Sequence, residues 1–226
     1  MNDGSDMRRD GLNGENGIFR NADEKSFRID RIEPVRGKTK RSWVRFDGAE
    51  DICLYNKEIR RLGLEDGQEM PGTLYGQVIR EILVPRARKR ALHLLEKQDR
   101  TRANLRDKLL EGGYPASVAD DAIAYAESYH YIDDERYARN YVYFHKSSKS
   151  RRRMVMDLQR RGIDRGLADR VLAEDYDTDE DSLIHSLMEK RHYDPENADQ
   201  KERSKMYRYL VSRGFDSNAV CEALRG

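Results

Sequence analysis

Apolar and polar residues alternate from Ser26 onward. Phe27, Ile29 and Ile32 run up to Pro34; Trp43, Val44 and Phe46 follow a Gly37-Lys38-Thr39-Lys40 turn; Ile52 and Leu54 follow Asp47-Gly48. Period-two alternation with Asp-Gly between runs predicts hairpin-connected strands. Residues 26–56 therefore read as a small three-stranded β-unit, too thin to stand without packing on something else. Asn56 to Met70 reads as a short helix ended by Gly63, then a loop. Beyond Pro71 the period changes to that of a helix: Leu74, Val78, Ile82 and Leu83 recur at helical spacing, Pro85 interrupts, and Ala87, Ala91, Leu92 and Leu95 resume the stripe. The polar, aperiodic stretch from Met1 to about Lys25 reads as a disordered leader.

Comparing the chain with itself exposes a repeat. Leu105, Leu109, Gly113, Tyr114, Val118 and Ile123 have counterparts at Met154, Leu158, Gly162, Ile163, Leu167 and Leu172, and again at Met206, Leu210, Gly214, Phe215, Ala219 and Leu224. Each set reads as helix, glycine, apolar residue, helix, with the glycine where a helix end turns left-handed. A further helix precedes each pair, marked by Leu92 and Leu95, by Tyr141 and Phe144, and by Ile184 and Leu187. The fold class is thus mainly α: three tandem three-helix modules forming a curved helical rod, with a small N-terminal β-containing unit. Boundaries fall at 1–25 for the leader, 26–70 for the β-rich unit, 71–85 for a connecting helix, and 86–131, 132–176 and 177–226 for the modules. Units of about fifty residues barely support a core alone, so neighbours are expected to stack.

Composition sharpens this picture. The 226 residues include 43 Lys and Arg against 42 Asp and Glu, for a net charge of +1, and 38% of the chain is charged. With a mean hydropathy of −0.97, thin modules suit the chain better than one thick core. No apolar run approaches the ~18 residues of a membrane span, and the first residues lack the apolar segment of a secretory signal. Two distant cysteines, Cys53 and Cys221, exclude a disulfide scaffold and a CxxC zinc site, and suit a reducing, cytoplasmic setting. The balanced total hides segregation: residues 146–165 hold eight bases against two acids, whereas 174–181 hold six acids and no base. Sorted charge of this kind suggests a face meant for an anionic surface.

On the helix over about 151–161, Met154, Val155 and Leu158 form the inward stripe, and Arg152, Arg153 and Arg160 fall opposite with Met156 among them. The equivalent positions in the third module include Lys205 and Arg208. Such a face is either merely solvated or contacts phosphate or an acidic protein surface, both of which suit arginine. Asp133 reads as an N-cap with Asp134 and Glu135 in the first turn, and Tyr137, Tyr141 and Phe144 as the core face behind them. The five histidines form no HExxH or comparable pair, and no Walker, GxGxxG or GxSxG sequence occurs. No catalytic residue, metal ligand or cofactor is expected, and the chain does not read as an enzyme. Most of the thirteen tyrosines fall on apolar stripes; Tyr75, Tyr143 and Tyr209 are those expected to be exposed.

At this point the motifs resemble the RecX regulatory proteins. Lys108-Leu109-Leu110 through Gly113-Tyr114, followed by Tyr131-Ile132-Asp133-Asp134-Glu135-Arg136-Tyr137-Ala138, is similar to a family signature close to G-Y-[IL]-[DN]-D-x-[RK]-[FY]-A. Arg100-Thr101-Arg102 with Leu105 fits the opening of that family's second helix, and Gly162-Ile163 its later Gly-Ile step. The resemblance covers about residues 86–226; it departs at Tyr131, where the family has Gly, and in a long loop from Lys190 to Gln200. It implies a modulator that binds the RecA nucleoprotein filament and opposes its ATPase, strand-exchange and coprotease activities in recombination, repair and the SOS response. Some members also bind DNA, so weak single- or double-stranded DNA binding is implied as well. Under this reading Arg152, Arg153, Arg160, Lys205 and Arg208 contact RecA or DNA, while Arg100, Asp133, Asp134, Arg136 and Tyr137 carry the signature in a mainly structural role. The chain is expected to act as a monomer without a membrane partner. A protein that affects recombination by competing for DNA is the alternative, and a scaffolding adaptor the third.

Overall fold

Alternation builds the N-terminal sheet seen in a computed structural model, which describes residues 25–37 and 40–225. The leader over residues 1–24, and Lys38 and Thr39 of the first turn, lie outside the described residues. Strands β1 (Ser26–Pro34), β2 (Arg41–Asp47) and β3 (Ile52–Tyr55) form the expected meander, and β4 (Glu69–Pro71) adds to the free edge of β1, giving the order β3-β2-β1-β4. The fourth strand stands where a loop was expected; three residues with only Met70 buried leave no alternation to read. Ser42, Val44 and Phe46 turn inward along β2, as the two-residue period requires. Helix α1 (Asn56–Leu62) ends at Gly63, whose φ of +64° lets its N–H return to the last turn.

Pro85 does not interrupt the next helix. Between α2 (Gly72–Gln77) and α3 (Val84–Lys97) the chain passes through a π-helical stretch, Val78–Leu83, and Val84 donates to the Ile79 carbonyl five residues back. Proline lacks an N–H and crowds the carbonyl four residues earlier, and the wider turn just ahead of it accommodates both. Tyr75 on α2 packs edge-on against Phe27 and Phe46, with ring centroids 5.2 and 5.3 Å away, and its hydroxyl donates to the Glu50 carbonyl. It is therefore an anchor of the sheet, not the exposed ring expected.

The remaining helices are α4 (Arg102–Glu111), α5 (Ala116–Ser128), α6 (Asp134–His145), α7 (Arg151–Arg160), α8 (Arg165–Asp175), α9 (Glu180–Glu189), α10 (Gln200–Ser212) and α11 (Ser217–Ala223). The chain divides into two compact units: residues through Lys89 with Leu109–Ala122, and Arg90–Lys108 with residues from Ile123 on. In the second unit, Ala138, Tyr141, Val142, Met154, Leu158, Ile163, Val171 and Leu172 form one core, and Leu183, Ile184, Leu187, Met206, Leu210, Phe215, Val220 and Leu224 another. Every apolar position of the repeat is buried except Leu167 and Ala219, which are half-buried. Of the residues marking the preceding helices, Tyr141, Ile184 and Leu187 are buried, Leu92 and Leu95 are half-buried, and Phe144 is 71% exposed, with Val142 in the inward place.

The repeated glycines do more than end helices. Gly113, Gly162 and Gly214 have φ of +85°, +80° and +90°, and each presses against the element before it. A Cβ on Gly113 would lie 2.8 Å from the Cys53 Cβ, one on Gly162 2.1 Å from the Ala103 Cβ, and one on Gly214 2.5 Å from the Arg153 Cβ. The carbonyl ahead of each glycine accepts a bond from the same neighbour: Gly112 from Arg41 at 2.5 Å, Arg161 from the Thr101 hydroxyl at 2.5 Å, and Arg213 from the Ser150 N–H at 3.1 Å. Thr101 and Ser150 are fully buried, and their hydroxyls also accept from the N–H three residues on.

Gly162→Ala combines left-handed strain of roughly 1–2 kcal/mol with overpacking of roughly 1–3 kcal/mol. Gly63→Ala carries only the strain, since nothing lies within 4 Å of its Cβ position. Urea denaturation is expected to show a clearly larger loss for Gly162→Ala than for Gly63→Ala; equal losses contradict the packing role.

Candidate functional site

Three of the expected contact residues stand clear of the protein. Arg152 and Arg160 are exposed on α7, eight residues apart and thus on one face, with Met156 between them at 40% exposed. Lys205 is exposed on α10. Arg208, also exposed, donates from Nε to the Ser204 carbonyl at 3.2 Å.

Arg153 is placed differently. Its Nε lies 3.1 Å from the Asp157 carboxylate one turn on, and its Cβ supports Gly214. Asp157 is 5% exposed and gathers further donors: the Tyr141 hydroxyl at 2.8 Å and the Lys149 ammonium at 2.8 Å, with Lys149 also 2.6 Å from the Tyr141 oxygen. The Arg161 guanidinium covers the Tyr141 ring at 4.7 Å. Burial alone pushes the Asp157 carboxyl upward, but the bonds from Lys149 and Tyr141 and the charges of Lys149 and Arg153 prevail and hold it at about 2. Lys149, Arg153 and Arg161, three of the eight bases in the run, are thus spent inside the second module. The sequence carried one signal of this: Asp157 is an acid three residues from Met154 and next to Leu158, on the buried side of an otherwise basic helix.

The signature residues join helices within the second unit. Asp133 caps α6 by accepting from the Arg136 N–H. Asp134 reaches the start of α4 and accepts from the Arg102 N–H at 2.8 Å; burial pushes its carboxyl above the ordinary range. Arg100 reaches Asn104 at 2.6 Å, Arg136 approaches the His130 carbonyl at 3.5 Å, and Tyr137 packs on the second module's core. Arg139, which the sequence reading passed over, clasps α6 to α8 through Glu135, Glu174 and Asp175 at 2.6–2.8 Å. Of the tyrosines expected outside, Tyr143 is 71% exposed, whereas Tyr209 lies between the guanidiniums of Arg191 at 3.7 Å and Arg213 at 4.5 Å. Tyr129 and Tyr131 are also exposed.

Among the described residues, no group of three or more His, Cys, Asp or Glu side chains could hold a metal, and no helix is long and apolar enough to cross a membrane. The class is that of a modular helical protein with cationic faces. Residues 87–125, 133–172 and 179–224 match the sequence profiles of the first, second and third three-helix domains of RecX. The chain is 28% identical over 191 residues to the regulatory protein RecX of Caldanaerobacter subterraneus subsp. tengcongensis, covering 84% of this chain and 94% of that one. It is 33% identical over 135 residues to the regulatory protein RecX of Trichlorobacter lovleyi, covering 58% of this chain and 88% of the relative. A crystal structure of regulatory protein RecX superposes with a TM-score of 0.51 at 22% identity, over 85% of this chain and 96% of the other. The chain belongs to the RecX family of regulatory proteins.

Asp157 sets an acid limit on stability. Its folded value of about 2 lies below the ordinary 3.8, so its contribution, about 2 kcal/mol, is complete above about pH 5 and is lost as the pH falls through about 2. Asp157→Asn is expected to cost roughly 2–4 kcal/mol at pH 7 and to flatten the fall between pH 4 and 2. Thermal melts of both proteins across that range check it; parallel curves refute the assignment.

Proposed function

We propose that this protein is a non-enzymatic cytoplasmic regulator that binds the RecA nucleoprotein filament and inhibits RecA's ATPase, recombinase and coprotease activities. Membership of the RecX family carries the reading. The exposed cations of the second and third modules support it, because a row of helical modules offers contacts at successive positions along a repeating partner, and complementary charge steers such docking. Arg152 and Arg160 provide the contact in the second module and Lys205 and Arg208 in the third. Arg153 supports that face from inside through Asp157.

A second reading has an observation in its favour. Arg152 and Arg160 form no ion pair among the described residues, which suits direct binding to nucleic-acid phosphates and inhibition by competition for DNA. Each phosphate contact with a single strand gives a log–log salt slope of roughly −0.7, so a strongly salt-dependent effect favours this alternative.

The test is DNA-dependent ATP hydrolysis by RecA, titrated with the protein at two single-stranded DNA concentrations. Substoichiometric inhibition unmoved by extra DNA is expected; relief in proportion to added DNA transfers the case to competition. Arg152→Glu with Arg160→Glu is expected to raise the half-inhibiting concentration at least tenfold without changing helicity. Unchanged inhibition removes α7 from the contact.

A further inference from the structure

Among the described methionines, only Met156 stands on the outer surface. It is 40% exposed, whereas Met70, Met154, Met188 and Met206 are at most 6% exposed. Core packing does not call for it there. The buried side of α7 consists of Met154, Asp157 and Leu158, and the positions equivalent to Met156 are Asp107 in the first module and Arg208 in the third. An unbranched apolar thioether therefore stands where the sister modules carry a charge.

Its neighbours give the position a chemistry. Arg152 and Arg160 lie one turn before and one turn after it on the same helix, the spacing at which helical side chains meet. Both are exposed, and neither makes an ion pair among the described residues. An adaptable apolar side chain between two arginines has the composition of an interface centre, where methionine and arginine are enriched and lysine and glutamate are depleted. Oxidation of the sulfur reverses that character. A sulfoxide is polar and chiral, so covering it with a partner costs the desolvation of a strong acceptor. Its oxygen also suits a charge-assisted hydrogen bond from a guanidinium one turn away, which holds back a donor from the partner.

We propose that Met156 is a site of reversible oxidation by peroxides, and that its sulfoxide weakens the contact made by α7. The weakening rests on the reading of α7 as part of the partner-binding face; the selectivity of the oxidation does not. A sulfur lone pair attacks one oxygen of hydrogen peroxide, so that the O–O bond breaks and an S–O bond forms. The departing hydroxide takes the proton of the transferred oxygen and leaves as water. The sulfur loses two electrons and the peroxide gains them. A sulfoxide reductase restores the thioether with two electrons and two protons from a dithiol, releasing the oxygen as water.

To test this, the full chain is treated with hydrogen peroxide, catalase removes the excess, and each methionine peptide is followed by mass. The Met156 peptide is expected to gain one oxygen at least tenfold faster than those of Met70, Met154, Met188 and Met206; equal rates overturn the site. Oxidised protein is then titrated into DNA-dependent ATP hydrolysis by RecA. Its half-inhibiting concentration is expected to rise at least fivefold with an unchanged melt. Sulfoxide reductase with dithiothreitol is expected to reverse the rise, and dithiothreitol alone to leave it. Met156→Leu keeps the other methionines and both cysteines, and peroxide is expected to leave its inhibition at its own untreated value. A loss in Met156→Leu equal to that in the parent overturns the proposal, because the target then lies elsewhere. Inhibition weakened by Arg152→Glu with Arg160→Glu but untouched by Met156 oxidation also overturns it, and leaves the contact reading standing. Inhibition indifferent to both the charge reversal and the oxidation removes α7 from the contact and overturns the two together.

Discussion

A left-handed corner seated on the start of an earlier element is the contact on which the other contacts rest. At Gly162 and Gly214 the missing side chain brings two backbones close together, and the preceding carbonyl then meets a donor at the beginning of the previous module's second helix. A buried hydroxyl or N–H there satisfies the carbonyl, so the joint loses water without orphaning a polar group. The Gly113 corner applies the same arrangement to a different neighbour, using Arg41 and the Cys53–Trp43 face of the sheet. Helix ends, caps and module joints are thereby one feature.

Charge in the second module follows from this arrangement. Arg153 and Arg161 are engaged at or beside glycine corners, and with Lys149 they surround Asp157. A carboxylate in that position is tolerable because its cations are close and its bonds are made. The basic run therefore divides by location: one part organises the module, and the other, at Arg152 and Arg160, faces outward.

The helical modules were legible because their signals are local and recur. Each glycine is fixed by backbone conformation, each apolar residue after it by a return to the finished helix, and the three copies reinforce each other at offsets of 49 and 52 residues. What escaped depended on contacts between distant parts or on non-standard geometry. β4 has too few residues to show a period, and the π-helical stretch before Pro85 is a local adjustment that proline's usual effect conceals. A stripe of Met154, Val155 and Leu158 puts Arg153 outward; the buried side is instead Met154, Asp157 and Leu158, rotated toward an acid that hydrophobicity alone places in water. Tyr209 escaped similarly, since its covering guanidiniums come from residues before and after its own helix.

Because each corner carries one half of a joint and the helix start before it carries the other, a single module contains both halves, at opposite ends of its relation to its neighbours. Duplicating a whole module delivers a matched pair of surfaces at once, whereas a partial duplication supplies a glycine with no seat or a buried hydroxyl with no carbonyl. Growth and loss in such a lineage are therefore quantised in steps of about fifty residues.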